Sequence, residues 1–214
     1  MTNNPILFLG TPDFSAQVLQ GLFDAALPVL AVISMPDRPQ GRVYQLLPTS
    51  VKKVAIQHHA TCYQPENAEQ LDKLLNGLPP FLGLVVAYGM ILPADMVHRY
   101  DFVNLHTSIL PKYRGASPIQ SALLNGDKET GVSLMRLDKD VDAGEVIGCN
   151  VVSIHHRDQA QSLTDKLAQL SLTLFVRQYT ETPAPWKGMP QNHKLATYSK
   201  KIKRGDGLVD LIKE

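Results

Sequence analysis

The stretch NLHTSILPKYRG, residues 104–115, sets an asparagine and a histidine two positions apart, just ahead of a proline turn. On an extended strand, Asn104 and His106 leave the same face. An amide beside an imidazole can donate hydrogen bonds to a developing oxyanion, and the imidazole can also move a proton. A polar strand end entering a loop reads the same way, so the pair needs a third group to become a site. The segment LDKDVDAGEVI, residues 137–147, offers Asp138, Asp140, Asp142 and Glu145. Most of these acids read as solvated loop charges, but Asp142 stands immediately before Ala-Gly, where the chain can double back toward the sheet. Asn104, His106 and Asp142 form a coherent set for acyl transfer, with the carboxylate orienting the imidazole. No Gly-x-Ser-x-Gly turn or reactive cysteine context accompanies them, so a covalent acyl-enzyme is not indicated. Direct attack of a substrate amine on a bound acyl donor fits better.

Such a trio needs a rigid scaffold, and the hydrophobic period supplies one. ILFLG (6–10), PVLAVIS (28–34) and LGLVVA (82–87) are short apolar runs of the kind found in strands buried on both faces. Between them, TPDFSAQVLQGLFDA repeats Phe14, Val18 and Leu22 at helical spacing, with Thr11 or Asp13 as cap. VKKVAIQHH reads as a helix opened by Ser50, and AEQLDKLLNG (68–77) as one closed by Gly77. MPDRPQGRVYQLLPTS is expected to be a polar loop. Residues 102–106 make a further strand, SPIQSALLNGD a helix with a Ser-Pro start, and GVSLMRL and EVIGCNVVSI later strands. Leu163, Leu167, Leu170 and Leu174 then share one helical face. This alternation implies a doubly wound α/β architecture, a mostly parallel sheet flanked by helices.

In such sheets ligands bind beyond the carboxyl ends of the strands. GTPDF with Gly10 and Thr11, AYGMILP with Tyr88 and Gly89, and the 104–115 motif all fall at such ends. GTPDF lacks the full Gly-x-Gly-x-x-Gly spacing, so a dinucleotide site is not indicated.

Composition bounds the rest. A chain of 214 residues holds one full core, or a large domain with a small appendage. A net charge of +1 does not by itself mark a nucleic-acid binder. Cys62 and Cys149 have no metal or redox spacing, which favours a reducing cytoplasm. The longest near-apolar run, FLGLVVAYGMILP, is short of the roughly 20 residues that span a bilayer, and MTNNPILFLG has no leader-like flank. Beyond Thr182 the chain turns Pro-rich and then basic, with Lys194, Lys200, Lys201, Lys203 and Arg204, and reads as a linker.

The block NLHTSILPKYRGASPIQSALLNGDKETGVSLMRLDKDVDAGEVI resembles the centre of the methionyl-tRNA formyltransferase family. That family reads Asn-x-His-x-Ser-Leu-Leu-Pro, Arg-Gly-x-x-Pro-Ile-Gln, Glu-Thr-Gly-Val and Asp-x-Gly-Asp. FLGTPDF, PDRPQGR, LLPTSVK and AYGMILP extend the likeness, and ATYSKKI continues it weakly. The resemblance implies a Rossmann-like formyltransferase fold with Asn104, His106 and Asp142 catalytic. It implies folate contacts from Ser108, Ile109, Leu110 and Pro111, where Ile109 replaces a leucine of similar volume, and from Tyr88 and Gly89. The donor would be 10-formyltetrahydrofolate, with no metal, and the acceptor the α-amine of initiator methionyl-tRNA, approached by Arg42, Gly10 and Thr11. A monomer without a membrane partner is expected. Residues 1–190 would form the catalytic domain, and 191–214 a basic linker toward a C-terminal domain absent from this chain.

One loop departs from the family pattern. Where the family reads Gly-Arg-Gly-Lys-Lys-Leu beside the tRNA acceptor stem, this chain reads GRVYQLL, keeping Arg42 but setting Tyr44 and Gln45 in place of the lysines. Fewer cations weaken phosphate contacts; Tyr44 is either a base-stacking ring or a bystander. Two alternatives stay open: an N-formyltransferase acting on a small amine such as an amino-sugar nucleotide, and a degenerate folate-binding protein. The PDRPQGR and LLPTSVK segments favour tRNA, and the intact trio argues against degeneracy.

Overall fold

Strands with no solvent face are what continuous apolar runs dictate, and β1 (Ile6–Gly10) is buried at every position. The computed structural model describes residues 4–40 and 45–207; Arg42 and Tyr44 lie outside them. After β1 come α1 (Asp13–Asp24), β2 (Val29–Ile33), a short antiparallel pair β3 (Arg38–Gln40) and β4 (Gln45–Leu47), α2 (Ser50–Gln57) and β5 (Cys62–Tyr63). Next are α3 (Ala68–Asn76), β6 (Leu82–Val86), α4 (Ala94–Arg99), β7 (Phe102–His106), β8 (Arg114–Gly115) and α5 (Pro118–Leu124). The long β9 (Glu129–Arg136) and β10 (Val146–Ser153), α6 (Ala160–Glu181) and β11 (Tyr198–Ser199) complete the order.

The main sheet has seven strands in the order β10-β9-β7-β6-β1-β2-β5. Pairing is parallel from β7 to β5, while β9 runs antiparallel to β7 and to β10. The chain leaves β1 toward β2 and β5, then returns to the other side of β1 as β6. That reversal opens a crevice beyond the carboxyl ends of β1 and β6, with β7 alongside.

Alternation along β1 sends Ile6 and Phe8 to one core and Leu7 and Leu9 to the other. The first core packs against α1 and α6 through Leu19, Leu22, Leu163, Leu167 and Phe175, and the second against α3 and α4 through Leu71, Leu75 and Met96. Among the described residues no helix is long and apolar enough to cross a membrane.

Local details differ from the sequence reading where a side chain found a better partner. Neither Thr11 nor Asp13 caps α1; Pro12 holds that position, and the Thr11 hydroxyl donates to the Tyr88 carbonyl instead. Helix α2 opens at Ser50 as expected and is capped by Thr49, whose hydroxyl accepts from the Lys52 amide. The expected polar loop contains β3 and β4. The Pro-rich segment does not behave as a solvated linker: Trp186, Gln191 and Ser199 are buried, and β11 pairs in parallel with β8. Its polar side chains turn inward to unpaired backbone groups, a pattern that composition does not show.

Candidate active site

Every residue of β7 is buried, and the strand carries Asn104 and His106 to the crevice. Asp142 arrives on the connection from β9 to β10. Its Oδ1 accepts from Asn104 Nδ2 at 3.5 Å, its Oδ2 lies 3.5 Å from His106 Nδ1, and the Gly115 amide donates to Oδ2 at 2.8 Å. On the far side of the ring, His106 Nε2 is 2.8 Å from the Tyr113 carbonyl. A carbonyl only accepts, so Nε2 carries a proton and Nδ1 is the nitrogen offered to the carboxylate. The two 3.5 Å contacts are long, of the kind that shortens when substrate binds.

Backbone strain gathers here. Ala87, Tyr113 and Asp142 have φ of 46°, 57° and 49°, and Gly89 and Gly115 have 100° and 105°. Left-handed backbone at non-glycine positions costs energy and persists only where the surroundings enforce it, most often at functional sites.

Two clefts meet at the trio. The larger, about 480 Å³, runs past Phe14, Ala116, Ile119, Gln120 and Thr164. The smaller, about 200 Å³, lies between residues 88–92 and 137–142. Ala87, Gly89, Asn104 and Asp142 border both, so the Asn and Asp stand on the partition. Ile91 is 85% exposed and Val141 61% exposed beside the smaller cleft. Uncovered apolar side chains next to a concavity suit a flat, partly apolar ligand.

The remaining sequence candidates separate into wall and support. Gly89 lines both clefts. Tyr88 borders the smaller one, with a buried ring whose hydroxyl has no partner among the described residues; burial pushes its pKa up to about 12. Gly10 and Thr11 line neither cleft. A Cβ on Gly10 would sit 2.7 Å from the Phe8 ring and Ser15, and Thr11 ties the Tyr88 carbonyl to the Met35 amide. Ser108, Ile109, Leu110 and Pro111 also line neither cleft. That turn is pinned by Ser133, whose hydroxyl donates to the Ser108 carbonyl at 2.8 Å and accepts from the Leu110 amide at 3.1 Å.

Several site neighbours escaped the sequence reading. Phe14, Ile119 and Thr164 looked like helix positions and nothing more, yet they wall the larger cleft. Thr197 and Ser199 hold the Tyr113 and Ser117 amides at 2.9 and 3.1 Å; the weak ATYSKKI likeness was the one signal for them. Among the described residues no cluster of three or more His, Cys, Asp or Glu is placed to hold a metal ion.

Comparison with known proteins places the chain in a family. Residues 4–178 match the formyl transferase family. The methionyl-tRNA formyltransferase of Sulfurihydrogenibium sp. is 39% identical, over 96% of this chain and 68% of that protein. That of Methylococcus capsulatus is 40% identical, over 98% of this chain and 70% of that protein. A solved N-formyltransferase from Helicobacter canadensis, in complex with folinic acid and dTDP-3-aminofucose, superposes with a TM-score of 0.67. At 20% identity, over 93% of this chain and 71% of that one, it bears on the fold alone. With its fold and most of its length accounted for, the chain belongs to the methionyl-tRNA formyltransferase family of formyl transferases.

Proposed function

We infer that this protein transfers the formyl group of 10-formyltetrahydrofolate to the α-amine of initiator methionyl-tRNA. The observation that carries the reading is the partition: Asn104 and Asp142 border both clefts, and His106 is held beside them. A donor seated in the smaller cleft and an amine entering from the larger one meet at these side chains. The relatives' names support methionyl-tRNA as the acceptor of a formyl group, and the family resemblance supports the folate donor.

The residues then divide the work. Ile91, Leu92 and Val141 give apolar contact to the pterin, with Tyr88 and Gly89 supplying backbone around it. Phe14 and Ile119 wall the side that receives the aminoacyl group. As the amine nitrogen bonds to the formyl carbon, the carbonyl oxygen becomes an oxyanion. Asn104 Nδ2 and His106 Nδ1, once protonated, donate to it. Asp142 orients both donors. Collapse breaks the bond to the folate nitrogen, and the proton lost by the amine ends on that nitrogen, so the reaction balances without an added base or oxidant. Ser108, Ile109, Leu110 and Pro111 serve this site as the turn that fixes the end of β7, and Gly10 and Thr11 as a brace for the Tyr88 backbone. Arg42 is assigned to the tRNA acceptor arm on sequence grounds. The catalytic unit takes in the chain through Ser199, because β11 pairs with the strand that carries Gly115.

The test compares charged initiator tRNA with an amino-sugar nucleotide as acceptors, each with 10-formyltetrahydrofolate. Transfer to the tRNA supports the reading. Transfer to the amino sugar alone replaces it with the small-amine activity. Folate binding without transfer to either leaves a binding protein.

A further inference from the structure

Gln191 is 7% exposed, and every polar atom of its side chain is engaged. Its Oε1 accepts from Arg114 Nε at 3.1 Å and Nη2 at 2.7 Å. Its Nε2 donates to the Asp142 carbonyl at 2.9 Å and the Gly144 carbonyl at 2.7 Å. The orientation of the amide is forced. A guanidinium only donates and carbonyls only accept, so oxygen must face Arg114 and nitrogen must face the loop.

Arg114 is itself 2% exposed, and the partners its guanidinium has among the described residues are Gln191 and His193 Nδ1, at 3.3 Å. It is a fixed donor block at the start of the strand that continues into Gly115. Asp142 is therefore tied to this strand twice: by its carboxylate directly to the Gly115 amide, and by its carbonyl through Gln191 to Arg114. A residue at a φ of 49° does not hold that backbone unaided. We propose that Gln191 is a positioning residue for formyl transfer: it clamps the Asp142–Gly144 loop so that the Asp142 carboxylate stays in register with His106 and Asn104. The inference rests on the reading of Asp142 as the carboxylate that orients the catalytic pair.

Two variants divide the clamp. Gln191→Glu keeps an acceptor for Arg114 but presents a second oxygen to the Asp142 and Gly144 carbonyls, which cannot donate to it. Gln191→Met fills a similar volume with no polar contact. Each is measured for kcat and KM with both substrates, for thermal midpoint, and for hydrogen exchange of the Gly115 amide, which reports the carboxylate's place independently of turnover. Gln191→Glu is expected to fold with a midpoint near wild type and to lower kcat about ten- to a hundredfold, as small misplacements of catalytic groups do. Its KM values should stay within about twofold, while Gly115 exchange accelerates. Gln191→Met should show the same kinetic loss with a lower midpoint. Wild-type kcat with wild-type Gly115 protection in both variants overturns the proposal, as does a loss of activity that only tracks the unfolded fraction. Asp142→Asn, assayed alongside, separates the two readings. If it is inactive while both Gln191 variants turn over normally, the clamp fails and the catalytic reading stands; if it retains wild-type kcat, the catalytic reading fails and takes the clamp with it.

Discussion

His106 presents Nδ1 to Oδ2 of Asp142 at 3.5 Å, while its Nε2 is fixed 2.8 Å from the Tyr113 carbonyl. The ring is thus held from both sides, by the Tyr113 carbonyl at one nitrogen and the Asp142 carboxylate at the other. Asp142→Asn isolates the charge, because asparagine tolerates the φ of 49°. It should fold normally and lower kcat by about a hundredfold, and His106→Ala should do at least as much. Folate-analogue affinity should change little in either. Single-turnover rates at saturating substrates are the check; a near-normal rate for His106→Ala would remove the imidazole from the chemistry.

The smaller cleft can be probed without disturbing the fold. Ile91 is 85% exposed, so Ile91→Asp costs little stability. A carboxylate set against the pterin should weaken a folate analogue by about tenfold or more, equivalent to about 1.4 kcal/mol. Calorimetric titration showing unchanged affinity would place the donor elsewhere.

Gly115 has no room for a side chain. A Cβ there would lie 2.5 Å from the Ser199 carbonyl oxygen, and its φ is 105°. Gly115→Ala should cost about 2 kcal/mol or more and slow turnover, since the same amide binds Asp142. An unshifted thermal midpoint would show that the pairing of β8 with β11 yields easily.

Arg42→Ala should raise the KM for methionyl-tRNA and leave folate-analogue affinity alone. With Tyr44 and Gln45 in place of lysines, phosphate contacts near this loop are few. Kinetics at two salt concentrations decide it: an identical KM for wild type and variant at low salt takes the loop away from the tRNA.

What the sequence revealed follows from how far each physical signal reaches along the chain. Asn104 and His106 were legible because a period of two is local, and the buried strands because apolar runs are local. Asp142 was singled out from its acidic neighbours by the Ala-Gly after it, but its partners lie on β7 and β8, which only the fold brings near. Nor does the sequence show what fixes the Ser108–Pro111 turn: Ser133 engages its Ser108 carbonyl and Leu110 amide, a long-range pair no spacing rule predicts. Gln191 was invisible for a related reason. A glutamine among prolines and glycine has the composition of a linker, and its four hydrogen bonds all go to distant residues.

The parallel pairing of Tyr198 and Ser199 with Arg114 and Gly115 also orders events in time. All seven strands of the main sheet, and the trio they carry, are synthesised before Gln191 leaves the ribosome. Closing that long loop follows the local contacts of the sheet, since distant pairings bear their entropy cost first. A nascent chain halted after α6 would own every catalytic side chain and the Gly115–Asp142 bond, and would lack the hold of Gln191 on the Asp142 and Gly144 carbonyls. The last-made part of the catalytic unit is thus the part that braces the Asp142 loop and the Gly115 strand from outside.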